Sequence, residues 1–467
     1  MRDSWATFGL DLHLERPGSR VRAGLEEALR DAVRTRRLAP GLRLPSSRSL
    51  ALDLGVARNT VADAYGQLVA EGWLVARAGS ATWVADPAST MEASQTPAPP
   101  VAGLRYDLRP GSPDVSAFPR AAWLAAVRRA LDAAPAEALG YGDPRGRPEL
   151  RQALAGYLSR ARGVRANPER IVVCSGFTQG LALVCQVLAS RGATTLAMES
   201  YGLAEHRRVA AASGLSVQAV PVDGHGAVVD GLGDAAGTVL TPAHQFPLGV
   251  ALAPKRRAGA LRWAAQRSGL IIEDDYDGEF RYDRQPVGAL QALAPDRVVY
   301  AGTASKSLAP GLRLAWLVLP AHLVDDVISA KVLADRQSPS LDQLTLAQLI
   351  DSGTYDRHVR RSRLAYRRRR DRLVSALSHQ VPPLRATGIA AGLHALVELP
   401  PSRTEGAIVA NAARHGLALA GLGSYTTTTD HAPALVVGYG TPPEHAFTGA
   451  LARLAAVLTQ TASAGER

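Results

Sequence analysis

Among 53 basic residues only Lys255, Lys306 and Lys331 are lysines, the rest being arginine. Chemistry in which a primary amine loses its proton and attacks a carbonyl therefore has three candidates. Lys306 lies in the string A-G-T-A-S-K-S-L-A-P-G-L-R, just after the apolar run Val298-Val299-Tyr300, on a turn of small residues. Such a turn allows partial burial, which together with nearby positive charge lowers an amine's pKa. Arg313, seven residues on, offers a fork for a phosphate. Lys255, beside Arg256 and Arg257, and Lys331, between Ala330 and Val332, read as solvated positions.

Two further segments bear on that lysine. Gly269 to Ile272 reads as a buried strand ending in Glu273-Asp274-Asp275-Tyr276-Asp277, and ligands of open α/β sheets bind at the C-terminal ends of parallel strands. Val172 to Gln179 reads as a strand, a small-residue turn and a helix start, whose exposed amides form a phosphate cradle. A pyridoxal phosphate site needs these parts: a lysine for the Schiff base and a carboxylate that keeps the ring nitrogen protonated. Taken singly, the acid run also fits a metal site or a solvated strand end, and Ser175-Gly176 an ordinary turn.

The elements that would position these groups follow from the rest of the chain. Its 467 residues are 46% hydrophobic and 20% charged, which excludes a disordered tail protein and a disulfide mini-scaffold. Asp3 and Asp11 stand where a secretory signal would need basic residues before an apolar run, and no apolar stretch approaches membrane length. The expectation is a soluble protein of a reducing cytoplasm, with Cys174 and Cys185 unpaired. The net charge of +11 favours an anionic partner without naming it. Residues 86–104 read as a proline-rich linker. It separates an N-terminal domain, 1–85, from a domain over 105–467, in which apolar strands alternate with helical stretches and a small C-terminal subdomain occupies roughly 345–467. The expected class of the large domain is α/β.

In the N-terminal segment, Val21, Leu25, Leu29, Ala32 and Val33 repeat at helical spacing after a Ser19 cap. A second helix follows Pro45-Ser46 and ends at Gly55; a third, from Val56, turns Val61, Ala64, Tyr65 and Leu68 inward. Two short strands, Trp73 to Arg77 and Thr82 to Ala85, would flank a wing tip at Ala78-Gly79-Ser80. This is a winged helix-turn-helix, in which the first turn of the last helix enters the major groove. The other reading is a three-helix bundle serving as a protein interface.

The string G-L-R-L-P-S-S-R-S-L-A-L-D-L-G-V-A-R-N-T-V, Gly41 to Val61, resembles the signature of the GntR regulators. The resemblance implies binding to double-stranded operator DNA by Arg48 and Arg58, with Ser46, Asn59, Thr60 and Gly79 in the same set. Ala57 stands where that family usually has serine, and Ala81 where the wing commonly has a second glycine. Tyr106 to about Ala456 resembles the fold-type I aminotransferases, with R-P-G-S-P-D from Arg109, Y-G-D-P-R-G from Tyr141 and T-P-A-H-Q-F-P-L-G from Thr241 as further matching strings. Joined, the two halves resemble the MocR subfamily, possible relatives being its regulators of vitamin B6 synthesis.

That resemblance implies pyridoxal 5′-phosphate on Lys306, Asp274 at the pyridinium nitrogen rather than Asp275, Tyr276 at the ring's phenolate oxygen and Tyr201 stacked on the ring. Arg313, Thr303 or Ser305, and the backbone of Gly176, Phe177 and Thr178 would hold the phosphate, with His244 and Gln245 lining the same site. It also implies a head-to-tail homodimer. Phe246 replaces the asparagine that precedes the P-T-G step in aminotransferases, and Val436 stands where their arginine clamps the substrate carboxylate; Leu203 replaces another arginine of GABA-sensing relatives. Arg207, Arg208 or a partner's arginine could substitute. The expected function is a transcription regulator sensing pyridoxal phosphate or an amine adduct of it, the alternative being a working aminotransferase with a tethered DNA module. The run of eight arginines from Arg360 to Arg372 reads as a solvated helix face, with Val359, Leu364 and Tyr366 turned elsewhere, or as a second surface for the DNA backbone.

Overall fold

The computed structural model describes residues 21–77, 81–85, 104–282, 287–382 and 384–463. The chain forms two compact units, residues 1–100 and 101–467. In the first, α1 (Val21–Arg34), α2 (Ser47–Leu54) and α3 (Arg58–Ala70) precede an antiparallel pair, β1 (Leu74–Arg77) and β2 (Ala81–Val84). Leu25, Leu29, Leu50, Val61, Ala64 and Leu68 form its core, with Leu74 and Val84 of the strands closing one end. The expected stripe on α1 begins a turn late: Val21 is 43% exposed, and packing starts at Leu25. Ser46 caps α2 by accepting the Ser49 amide at 3.1 Å, and Gly55, with φ of 66°, stops it. That left-handed turn is cheap only for glycine. Ser19 and the wing tip with Gly79 lie outside the described residues.

The second unit is built on a seven-stranded sheet: β3 (Ile171–Cys174), β4 (Thr195–Glu199), β5 (Ser216–Val220), β6 (Gly237–Leu240), β7 (Leu270–Asp274), β8 (Val298–Thr303) and β9 (Ala315–Val318). The order is β3-β9-β8-β7-β6-β4-β5, and only β9 runs antiparallel to its neighbours. Alternation along each strand feeds two separate cores. Ile171, Val173, Tyr300 and Trp316 pack on one face; Val172, Cys174, Val299 and Leu317 pack on the other. Burial on both faces explains why these strands read as continuous apolar runs.

A smaller antiparallel sheet follows, β10 (Ala386–Thr387), β11 (His394–Glu398), β12 (Ala420–Gly421) and β13 (Ala434–Gly438), in the order β10-β11-β13-β12. Its core also takes Tyr366, Leu373 and Leu377 from the 27-residue helix Thr354–Gln380. The helix Ser340–Asp351 instead packs Leu346, Leu349 and Ile350 into the core of the large sheet. No helix among the described residues is long and apolar enough to cross a membrane.

Two expectations about cations fail. Lys331 is fully buried, its Nζ held by Asp335 at 2.9 Å and by Ser338 at 3.1 Å. These partners satisfy the hydrogen bonds of an amine that the core closes off from water. Arg369, inside the arginine run, is 3% exposed and binds Asp114 and Glu444, whereas Leu364, expected to turn away from the basic face, is 58% exposed among the remaining arginines.

Candidate functional site

The acid run at the end of β7 is sorted by strand alternation, which sends successive side chains to opposite faces. Glu273 accepts the amides of Leu290 and Gln291 at 2.7 and 2.9 Å. Asp275 accepts Arg162 at 2.6 and 2.9 Å and the Tyr300 hydroxyl at 2.7 Å. Asp274, between them, faces a cavity of about 270 Å³ instead. No described hydrogen bond reaches its carboxylate, and burial holds its pKa well above the ordinary range, opposed by Lys306.

The same cavity is lined by Gly176, Phe177, Thr178, Tyr201, Tyr276, Thr303, Ser305, Lys306 and Arg313. Residues from four regions of the chain thus converge on one space. Burial lowers the Lys306 pKa while Asp274 and Asp277 resist the shift, and its Nζ donates to the Gly111 carbonyl. At the cavity's other end α4 (Phe177–Ser190) begins with Gly176 as its N-cap and no side-chain cap. Gly176 has φ of 98°, and a Cβ there would lie 2.7 Å from the Arg313 guanidinium. Arg313 itself donates to the Ser175 carbonyl, while the Thr303 hydroxyl donates to Ser305 Oγ at 2.9 Å. Free helix amides, a guanidinium and two hydroxyls make an anion cradle.

His244 and Gln245 stand behind the wall rather than lining it. The Gln245 amide donates to the carbonyls of Phe246 and Tyr201 at 2.6 and 3.1 Å and to Glu199 at 3.3 Å, so it braces the loop that carries Tyr201. His244 Nδ1 is 2.8 Å from Asp277 Oδ2 and 3.2 Å from the Tyr276 hydroxyl. Its Nε2 is buried without a partner. Phe246, in place of an amide, packs edge-on against Tyr276, His394 and Tyr425.

Sequence reasoning missed several wall residues: Glu199, His206, Asp277 and His394. Asp277 was within reach as the last acid of its run; His394, on a separate sheet, carried no local signal. Burial pushes Glu199 up to about 7 and His206 down to about 4, so the histidine is neutral near pH 7.

Val436 is fully buried in an apolar cluster with Leu396, Leu422 and Ala434, against which Tyr201, Leu248 and Tyr425 pack. Leu203 lines the cavity, as does Arg207, while Arg208 is exposed. Arg207 donates Nη2 to the Glu199 carbonyl at 2.7 Å and Nη1 to the Gly202 carbonyl at 3.3 Å.

In the first unit Ser46, Arg48, Arg58 and Asn59 are exposed and Thr60 is half-buried. Ala57, the N-cap of α3, offers no side-chain cap. The Tyr65 hydroxyl donates to the Pro45 carbonyl at 3.1 Å, which pins α3 to the turn before α2.

Comparison with known proteins agrees with both halves. Residues 22–84 match the bacterial regulatory proteins of the gntR family, and residues 113–427 match aminotransferase class I and II. The chain is 34% identical to the uncharacterized HTH-type transcriptional regulator YdeL of Bacillus subtilis, over 82% of this chain and 84% of that one. It is 32% identical to the HTH-type pyridoxine biosynthesis transcriptional regulator PdxR of Corynebacterium glutamicum, over 92% and 94%. It is likewise 32% identical to the probable rhizopine catabolism regulatory protein MocR of Rhizobium meliloti, over 74% of each chain. An archaeal alanine:glyoxylate aminotransferase superposes with a TM-score of 0.70 at 25% identity, covering 76% of this chain and 91% of that one. The α-aminoadipate aminotransferase LysN of Thermus thermophilus shares the fold, with a TM-score of 0.69 at 24% identity and coverage of 77% and 93%.

The aminotransferase class implies pyridoxal 5′-phosphate, and the residues fit it. A buried carboxylate without a donor, an amine of lowered pKa and an anion cradle that a Cβ at position 176 would fill are the three attachments the cofactor requires. A gntR-type helix-turn-helix joined to an aminotransferase class I and II domain across nearly the whole chain, shared with HTH-type regulators, makes this protein a member of the MocR subfamily of GntR regulators.

Proposed function

We propose that the winged unit grips operator DNA and that the large unit reports pyridoxal 5′-phosphate, either as the free cofactor or as its amine adduct, to that unit. The observation that carries this reading is the pairing of an intact cofactor site with an apolar Val436 cluster where a substrate carboxylate would need a guanidinium. When bound, the cofactor supplies a carbonyl for the lysine amine and an electron-withdrawing ring.

The chain's own groups do the rest. Asp274 would accept a hydrogen bond from the ring nitrogen and keep it protonated, Tyr276 would donate to the ring oxygen, and Tyr201 would cover the ring face. Arg313, Thr303, Ser305 and the amides of Gly176, Phe177 and Thr178 hold the phosphate, while His244 and Gln245 set the positions of Tyr276 and Tyr201. Arg48 and Arg58, with Ser46, Asn59, Thr60 and Gly79, hold the DNA. The name of the Corynebacterium relative, a pyridoxine biosynthesis regulator, supports the cofactor as signal. A head-to-tail homodimer would present two DNA units to a two-part operator, in the cytoplasm.

The test is binding of the full chain to its own upstream DNA with and without added pyridoxal phosphate, by fluorescence anisotropy. A change in affinity that Lys306→Ala abolishes supports the reading. Rapid turnover of an amino donor with a keto-acid acceptor, and DNA affinity indifferent to cofactor, would favour the tethered aminotransferase instead.

A further inference from the structure

The long helix Thr354–Gln380, α5 here, divides its arginines between two tasks. Arg363 donates to the Glu279 carbonyl at 2.7 Å, Arg369 bridges Asp114 and Glu444, and Arg372 binds Glu444 at 3.0 Å and Thr448 at 2.6 Å. Arg370 is half-buried. Arg360, Arg361, Arg367 and Arg368 are exposed, and none makes a hydrogen bond or ion pair among the described residues.

These four positions recur at the spacing of a single helix face, with exposed Leu364 at the centre. From Arg360 to Arg368 the face runs about 12 Å along the axis at 1.5 Å per residue. No acid lies between its ends, although the inner face of the same helix uses Asp114 and Glu444 to neutralise its own arginines. Guanidinium forks free of carboxylates match phosphate oxygens in geometry and charge. One exposed leucine is too little apolar surface for a helix to enter a bilayer, since the remaining apolar face of α5 is spent on the protein core.

We infer that this face is a second contact surface for the sugar-phosphate backbone of the DNA that the winged unit grips. The inference rests on the DNA-binding reading above and adds to it a sequence-independent term supplied by the large unit. Backbone contacts position a protein on the duplex and carry no base information. The face therefore raises affinity for cognate and non-cognate DNA alike.

The experiment measures anisotropy of the full, cofactor-loaded chain on its upstream fragment and on a scrambled fragment of equal length, across a salt series. Each lost phosphate contact removes about 0.9 from the slope of log affinity against log salt. The quadruple variant Arg360→Gln, Arg361→Gln, Arg367→Gln, Arg368→Gln should lower the slope by about 2 to 4 and weaken both fragments by the same factor. The corresponding quadruple lysine variant should restore the slope, and unchanged cofactor absorption reports an intact fold. Arg58→Ala should do the opposite, removing the preference for the cognate fragment while keeping most of the slope.

An unchanged slope in the glutamine variant, with Arg58→Ala still abolishing preference, overturns the second surface and leaves the DNA-binding reading standing. Loss of binding to phosphatidylserine vesicles with no change on DNA overturns it in favour of a membrane surface. A chain that binds neither fragment refutes both readings.

Discussion

Arg162 and Asp275 form a bidentate ion pair with 1% of each side chain exposed, at 2.6 and 2.9 Å. The pair consumes one of two adjacent aspartates and so leaves Asp274 for the cavity. The two acids should therefore fail in different ways. Asp275→Ala strands a buried guanidinium and should cost about 3 to 5 kcal/mol of stability, read as a lower Tm. Asp274→Asn should hold Tm within about 1 °C, the shift of roughly one kcal/mol in a chain of this size, and lose most of its affinity for pyridoxal phosphate. Equal Tm losses in both would refute the division of roles.

Gly176 and Arg313 set the phosphate cradle through close approach. Gly176→Ala forces a Cβ against the guanidinium at a backbone angle that favours glycine, a strain of about 1 to 3 kcal/mol. Affinity for pyridoxal phosphate should fall about tenfold or more, by cofactor titration followed in the visible range. Affinity for pyridoxal, which lacks the phosphate, should change less; a parallel loss would assign Gly176 to general folding.

At the other unit, Arg58→Ala should weaken binding to the upstream fragment by about 1 to 3 kcal/mol and relax preference for its sequence. Arg48→Ala should weaken cognate and scrambled DNA equally if it meets only phosphate. Anisotropy titrations at fixed salt separate the two. Retention of full cognate affinity by Arg58→Ala would remove α3 from the groove.

Glu199 sits 2.6 Å from the Thr241 hydroxyl, and burial pushes its carboxyl from 4.5 to about 7. The folded chain thus binds a proton there that the unfolded chain has released over that interval. Its contribution to stability is complete below about pH 4.5 and is lost as pH rises toward 7. Glu199→Gln should flatten the fall of Tm across that window. A profile identical to that of the parent chain would show that Glu199 is ionised throughout.

Local patterns in the chain carried the helix-turn-helix with its Gly55 stop, the buried strands, and Lys306, Arg313 and the acid run as candidates, which the structure brings to one cavity. Each is a short-range matter: periodicity, turn chemistry, or a carboxylate at a strand end. The choice of Asp274 over its neighbours came from the family resemblance, and the structure places Asp274 on the cavity side while Glu273 and Asp275 are engaged elsewhere. Burial and partnership are not short-range, and there the folded chain decided. Lys331 looked solvated until Asp335 and Ser338 closed around it, and the arginine run looked uniform until Asp114 and Glu444, 255 and 75 residues from Arg369, claimed its inner face. His394 entered the cavity wall from a different sheet. Whether a charge meets water or a counter-charge depends on contacts between residues far apart in the chain. Neither spacing nor composition encodes those contacts, because the chain must close on itself before they exist.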